Sequence, residues 1–385
     1  TMARIVVCGY IIRHPLAGNM HAFLSYVAGL SRLGHEVTYI EESGWDASCF
    51  DPNSQCHTDD PTAGIAAFRT MMSAYCLDTV PFAFVDRKTY EVHGNLSATL
   101  KATFTQADLV INVGGVCWLE EFEHAARRAL IDMDPLFTQL GRFAQTDLSR
   151  YDALFTYGQN INGDDCLVPR LERRWVPVLP PVVTDIWDNA EGTEDLGLSK
   201  PRFTTVANWS AYGDIVFRDE VFGQKNLEFE RVIDLPELSD AAFELATENM
   251  GEDVRHRFIQ SGWRIIRGRD VTLSATAYAE YLRESTGEFS VAKNAYVKSR
   301  SGWISDRTVC YLATGRPAIV QDTGAGGRVE AGEGFVTFNA VGDAVECVAD
   351  VLADYDLHRR RAREIAREIF DYSKVLPGLV EAALA

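Results

Sequence analysis

The chain has 385 residues, enough for two domains of ordinary size that each bury their own core. Its content of 46% hydrophobic and 24% charged residues is that of a globular protein, and its formal net charge is −18. That charge argues against nucleic acid or an anionic membrane as the main partner, while leaving room for a small anion in a local basic pocket.

The eight cysteines are scattered singly, with no C-x-x-C or Cys/His ligand spacing, so reduced thiols and no metal site are expected. The N-terminus runs straight into a strand and no apolar run reaches membrane-spanning length, which points to a cytoplasmic protein without an export signal.

In chain order, residues 4–9 read as a buried strand ending in glycine, followed by a mobile loop that carries His14. Asn19 is placed to cap a helix whose apolar residues (Ala22, Phe23, Tyr26, Val27, Leu30 and Leu33) recur at three- and four-residue steps. A second strand at 36–40 completes a βαβ unit without G-x-G-x-x-G, so a nicotinamide dinucleotide site is not expected. Residues 44–105 mix aromatic and loop residues, with a helix at 65–77 and a strand at 82–85. Strands at 108–113 and 153–157 end in glycine turns, the first at Gly114-Gly115, and 119–131 reads as a helix. Strands that end this way mark the edge where open α/β sheets place their clefts.

Prolines at 177, 180 and 181, then an acidic run, mark a linker. The reading is an N-terminal Rossmann-like domain at 1–182, a linker at 183–200, and a second domain at 201–355. Residues 356–385 form C-terminal helices expected to pack back toward the N-terminal domain. In the second domain, strands at 203–207, 243–246 and 263–266 alternate with helices at 226–235, 251–260 and 276–283. Pro377 is read as preceding a short last helix.

Residues 289–335 organise the second domain. Lys293, Lys298 and Arg300 precede a Ser301-Gly302-Trp303 turn, and Ser305-Asp306 caps a helix that stops at Gly315. A buried strand at 318–320 then enters the Gly-rich loop 321–327. Basic residues and a glycine turn meeting at a helix N-terminus suit a diphosphate, because free backbone N–H groups and the helix dipole favour an anion there. The candidate diphosphate set is therefore Arg300, Ser301, Gly302, Arg307, Lys298 and Lys293. Gln321, Asp322 and Gly324 in that loop, with Asp306, Trp303, Trp263, Ile265, Asn208 and Trp209, complete the candidate ligand set of the second domain. A surface charge, a core aromatic or a plain helix cap is the competing reading for each of these.

Several of these segments form a pattern. Leu312-Ala313-Thr314-Gly315-Arg316-Pro317, Gly326-Gly327, 330–336 and 343–348 stand in the order found in the C-terminal domain of GT-B nucleotide-sugar glycosyltransferases, which this part of the chain resembles. Leu30 to Thr38, with its L-x-x-x-G-H-E-V-T run, resembles the N-terminal domain of the same family. The resemblance implies two Rossmann-like domains facing each other across a cleft. It implies a sugar moved from a nucleoside diphosphate sugar, UDP or dTDP first, to a small-molecule acceptor, with no metal and no cofactor. The donor is then held by the donor-binding domain at 201–355, with Gln321, Asp322 and Gly324 toward the sugar hydroxyls and the rest of that set around sugar and nucleoside. The acceptor is held by the acceptor-binding domain at 1–182, and the net charge argues for no nucleic acid. Retaining members carry two glutamates that fall here on Gly302 and Cys310, so inversion is expected. Inverting members carry a Gly-His pair, here Gly18-Asn19, flanked by His14 and His21 as candidate bases. Gly18, Asn19, Gly114 and Gly115 are the acceptor-side residues. An epimerase on the same scaffold, or a nucleotide-sugar-binding protein without catalysis, are the alternatives.

Overall fold

The computed structural model describes residues 2–141, 147–188 and 200–385. Most of the expected linker, residues 189–199, lies outside the described residues.

Two sheets carry the molecule. The first contains β1 (Arg4–Cys8), β2 (Glu36–Glu42), β3 (Phe82–Val85), β4 (Val92–Gly94), β5 (Leu109–Val113), β6 (Arg128–Asp132), β7 (Ala153–Thr156) and β8 (Trp175–Pro177). Their order is β8-β7-β6-β5-β1-β2-β3-β4, parallel except for the β3/β4 edge. The second contains β9 (Arg202–Asn208), β10 (Ala242–Glu248), β11 (Arg264–Arg267), β12 (Gly287–Ser290), β13 (Ala318–Gln321) and β14 (Phe335–Phe338). It runs β11-β10-β9-β12-β13-β14 and is parallel throughout. The helices used below are α1 (Ala17–Arg32), α2 (Lys225–Glu230), α3 (Ala275–Arg283), α4 (Asp306–Ala313), α5 (Val341–Ala353), α6 (Tyr355–Ile365) and α7 (Tyr372–Leu384). Apolar runs such as Ile5, Val6, Val7 and Cys8 are buried on both faces, as strands of a parallel sheet covered by helices must be. The expectation of two Rossmann-like domains is borne out.

Several local expectations are corrected. Residues 119–131 are a short 3₁₀ turn (Glu120–His124) followed by β6, not a helix. A strand buried on both faces loses its period of two, so its apolar residues imitate a helical face, and the gap between β5 and β7 claims it. The helix expected at 226–235 is split into α2 and a turn at Leu235–Leu238 that holds Pro236. Helix α1 starts at Ala17, two residues before Asn19, whose side chain instead donates to the carbonyls of Tyr10 and His14. Helix α7 starts at Tyr372, capped by Asp371, and contains Pro377. All eight cysteines are unpaired. No helix among the described residues is long and apolar enough to cross a membrane.

The two sheets are docked through a seam. Ser299 and Ser301 offer their carbonyls to the amides of Leu167 (2.8 Å) and Asn160 (3.0 Å) of the first domain. Gly302 sits there with φ +76°, and a Cβ on it would fall 2.5 Å from the Asn160 nitrogen. Helix α7 returns to the first domain, where Leu376, Leu379, Val380 and Ala383 join the core that α1 covers. Gly302→Ala meets both a left-handed backbone and a clash, so it should destabilise the protein by at least ~1–2 kcal/mol. Urea or thermal unfolding measures this, and an unchanged midpoint would remove the seam as a close contact.

Candidate functional site

The carboxyl ends of both sheets face each other, and between them lies a cleft with about 310 Å³ of room. The first domain contributes His14, Leu16, Gly18 and Asn19. The second contributes the ends of β9 (Val206 to Asn208) and β10 (Glu248), the turn Gly268-Arg269, Tyr278 of α3, Lys225 at the start of α2, and Ser305, Asp306 and Arg307 at the start of α4. A second cavity of about 230 Å³ lies under the loop after β13, lined by Thr308, Gln321, Asp322 and Thr323 among others, and meets the cleft at Trp303, Ser305 and Arg307.

The loop after β1 is rigid rather than mobile. Glu41, fully buried, accepts the successive backbone amides of Ile11 (2.8 Å), Ile12 (2.9 Å) and Arg13 (2.8 Å). The equally buried Arg13 stands 3.6 Å from the same carboxylate and bonds the Val116 carbonyl. A carboxylate holding three amides fixes the loop and delivers His14 to the cleft. Burial first, then the charges of His57 and Arg269, lower the His14 pKa to about 4, so its imidazole is neutral at pH 7.

His21 is not in the cleft. It is 5% exposed, bonds the Tyr75 hydroxyl through Nδ1 at 2.6 Å, and packs its ring against Trp187 and Tyr278. Burial alone lowers its pKa to about 3. It faces inward because its position on α1 lies on the helix face that meets the second domain.

Of the six residues expected at a diphosphate, the structure brings Arg307 alone to the cleft. Lys293 is buried against Asp134 (3.0 Å) and the Tyr212 hydroxyl. Lys298 pairs with Glu220 (2.8 Å), and Arg300 with Asp165 (2.7 Å) and Asp322 (3.6 Å). Ser301 and Gly302 belong to the seam. The turn 299–302 is consumed by docking the domains, which sequence spacing does not reveal. Arg307 is itself held, with Nε on Glu288 (2.6 Å), Nη1 on the Val206 carbonyl and Nη2 on Ser290.

Two cations were missed. Arg269 follows the glycine that ends β11, a signal of the kind used for the first domain but not applied to the second. Lys225 lies one residue before the expected helix. Its ammonium makes no hydrogen bond or ion pair among the described residues and stands 5.7 Å from the Trp303 ring centre. Burial first, then the charges of Arg307 and Lys293, hold its pKa well below the ordinary lysine value. Asp306 beside it is pushed upward, chiefly by burial.

Of the sugar and nucleoside candidates, Asn208, Asp306 and Trp303 line the cleft, while Gln321 and Asp322 line the adjoining cavity. Gly324 packs on Arg300. Trp209, Trp263 and Ile265 are core: Trp263 donates to the Ile233 carbonyl (2.8 Å) inside a cage of phenylalanines that Trp209 also joins. Gly18 and Asn19 line the cleft, whereas Gly114 and Gly115 form the turn that leads to the Val116 carbonyl and lie outside it. No group of three His, Cys, Asp or Glu among the described residues is placed to hold a metal ion.

Neither a family model nor a curated protein sequence matches this chain. Solved structures do. An alpha-glucosyltransferase in complex with UDP-glucose and DNA containing an abasic site superposes with a TM-score of 0.60, at 11% identity over 100% of both chains. A glycosyltransferase from Rickettsia africae superposes at 0.56, with 10% identity over 99% of this chain and 97% of that one. The sucrose-phosphate synthase from Thermosynechococcus elongatus superposes at 0.53, with 12% identity over 98% of both. The fold is GT-B. The GT-B resemblance read at the two ends of the sequence is thus borne out, and the likeness in fold extends over the whole length. One expectation is overturned: a GT-B structure of this shape is seen with DNA, so a small-molecule acceptor and the exclusion of nucleic acid do not stand. The net charge of a whole chain does not fix the sign of one face of a cleft.

The two lowered histidines give a pH dependence. Their folded values lie below 6.5, so the unfolded chain binds more protons as pH falls from 6.5 toward about 4 for His14 and about 3 for His21. Stability is therefore full above pH 6.5 and should drop below it by up to ~1.4 kcal/mol per pH unit for each histidine. Unfolding midpoints from pH 7 to 4.5 test this, and His21→Gln should flatten the slope. An unaltered slope would mean that His21 is not held neutral.

Proposed function

We propose that the protein is a glycosyltransferase that takes its sugar from a UDP-sugar held in this cleft. The observation that carries the reading is Lys225, whose ammonium makes no hydrogen bond or ion pair among the described residues and faces the cleft beside Arg307 in a GT-B frame. A diphosphate supplies the anion that this lysine lacks and favours its charged form, and the lysine in turn is a fixed counter-charge for the leaving group. The two phosphates lie between Lys225 and the start of α4, the nucleoside toward Asn208 and Glu248, and the sugar toward Gln321 and Asp322. The finding that similarly folded alpha-glucosyltransferases bind UDP supports this nucleotide.

His14 is the acceptor base in this reading, and it replaces His21. It is the titratable side chain of the first domain among those lining the cleft, it is neutral at pH 7, and the loop that carries it is locked. A neutral imidazole accepts the hydroxyl proton as the acceptor attacks the anomeric carbon, with inversion, while UDP departs toward Lys225.

Saturating UDP, at about 100 times its Kd, should raise stability by roughly 2.7 kcal/mol in a thermal-shift measurement. Lys225→Ala should abolish that shift and Arg300→Ala should keep it. A UDP shift that survives Lys225→Ala would sink the assignment of the donor site. His14→Gln should keep UDP binding and lower the turnover of UDP-glucose about 10²–10⁴-fold. Equal turnover in the variant would exclude His14 as base, and sugar epimerised without transfer would favour an epimerase.

A further inference from the structure

At the far end of α4 from the cleft, three arginines gather without enough negative charge to balance them. Arg316 follows the turn that ends α4 and is 2% exposed, and Arg359 of α6 is 8% exposed. Arg363 lies one turn beyond Arg359, with its Nε 2.6 Å from where a Cβ on Gly315 would stand. Tyr355 ties the group together: its hydroxyl accepts from Arg316 Nη1 at 3.0 Å, and its ring centre is 5.8 Å from the Arg359 guanidinium carbon.

Compensation for these charges is thin. Arg359 reaches only the exposed Asp356, at 3.9 Å. The Arg363 guanidinium has no ion pair and donates no hydrogen bond among the described residues. The Nε atoms of all three are buried without a partner. Their neighbours Arg361 and Arg367 are paired, with Glu364 and Asp188, which sets the three apart. Burial, then the charge of Arg359, lowers the pKa of Arg363. Like charges four residues apart on a helix repel, and here they do so partly out of water. The carboxyl end of α4 offsets some of this with about half a negative charge. Its last carbonyls, however, already accept from the amides of Thr314, Gly315 and Arg316 rather than from the guanidiniums.

We propose that Arg316, Arg359 and Arg363 form a binding site for a phosphate-bearing anion, separate from the donor cleft. Guanidinium forks match phosphate oxygens, and three of them with donors not taken up by protein groups supply what a doubly charged oxyanion needs. The eight residues of α4 keep this site about 12 Å from the cleft. The proposal does not depend on the glycosyltransferase reading. The phosphate belongs either to a soluble compound or to an anionic lipid headgroup, and the chemistry of the site is the same.

The test uses the full chain with inorganic phosphate at constant ionic strength against chloride. Phosphate should raise the melting temperature of the unaltered protein and of Lys225→Ala alike, and the rise should vanish in Arg359→Gln/Arg363→Gln. Arg363→Met in chloride should melt no lower than the unaltered protein, because the repulsion goes while the stem still packs. Flotation with phosphatidylglycerol and phosphatidylcholine vesicles separates the sources: retention on the former alone, lost in the double variant, assigns a lipid, and a phosphate shift without retention assigns a soluble ligand. A phosphate shift that persists in the double variant or vanishes in Lys225→Ala overturns the site. So does the absence of both shift and retention, or a marked loss of stability in Arg363→Met.

Discussion

Everything at the cleft depends on how the two parallel sheets are docked. In a parallel sheet all the strands end at one edge, so loops that carry function gather there. Two such edges form a site only when they are held face to face. Here the turn 299–302 provides much of that hold, by backbone bonds to the loop at 158–167 and by the close approach of Gly302 to Asn160. Helix α7 reinforces it by leaving the second domain and completing the core under α1.

Electrostatics then sorts the cations. The protein carries a net charge of −18, so most basic side chains find carboxylates. Lys293, Lys298 and Arg300 do so, and none of them lines the cleft. Among the described residues Lys225 does not, and neither does Arg363. A charge drawn partly out of water without a counter-ion is costly, and a bound anion offsets that cost. The same reasoning leads to the nucleotide at one end of α4 and to a second anion at the other.

The first domain contributes rigidity. Glu41 and Arg13, both fully buried, fix the loop that holds His14. A side chain on a loop held in this way loses little entropy when a ligand reaches it. The price of such order is a buried ion pair, which is stable because three backbone amides share the carboxylate.

The sequence by itself determined the two-domain α/β architecture, the glycine-ended strands and the capped helix α4, since these rest on local periodicity, capping and chain length. Asn19, Asn208, Asp306, Arg307, Gln321 and Asp322, singled out because they follow strand ends or begin a helix, do line the cleft or the adjoining cavity. It misread β6 as a helix, where full burial erases the strand period, and it assigned Trp263 and Trp209 to a ligand although the core takes them. Only the tertiary structure decided which cations are free, that His21 faces inward, and that His14 stands in the cleft. Pairing, burial and facing are set by residues distant in the chain, such as Asp134 for Lys293 and Asp165 for Arg300, and no local pattern encodes the partner that each charge meets.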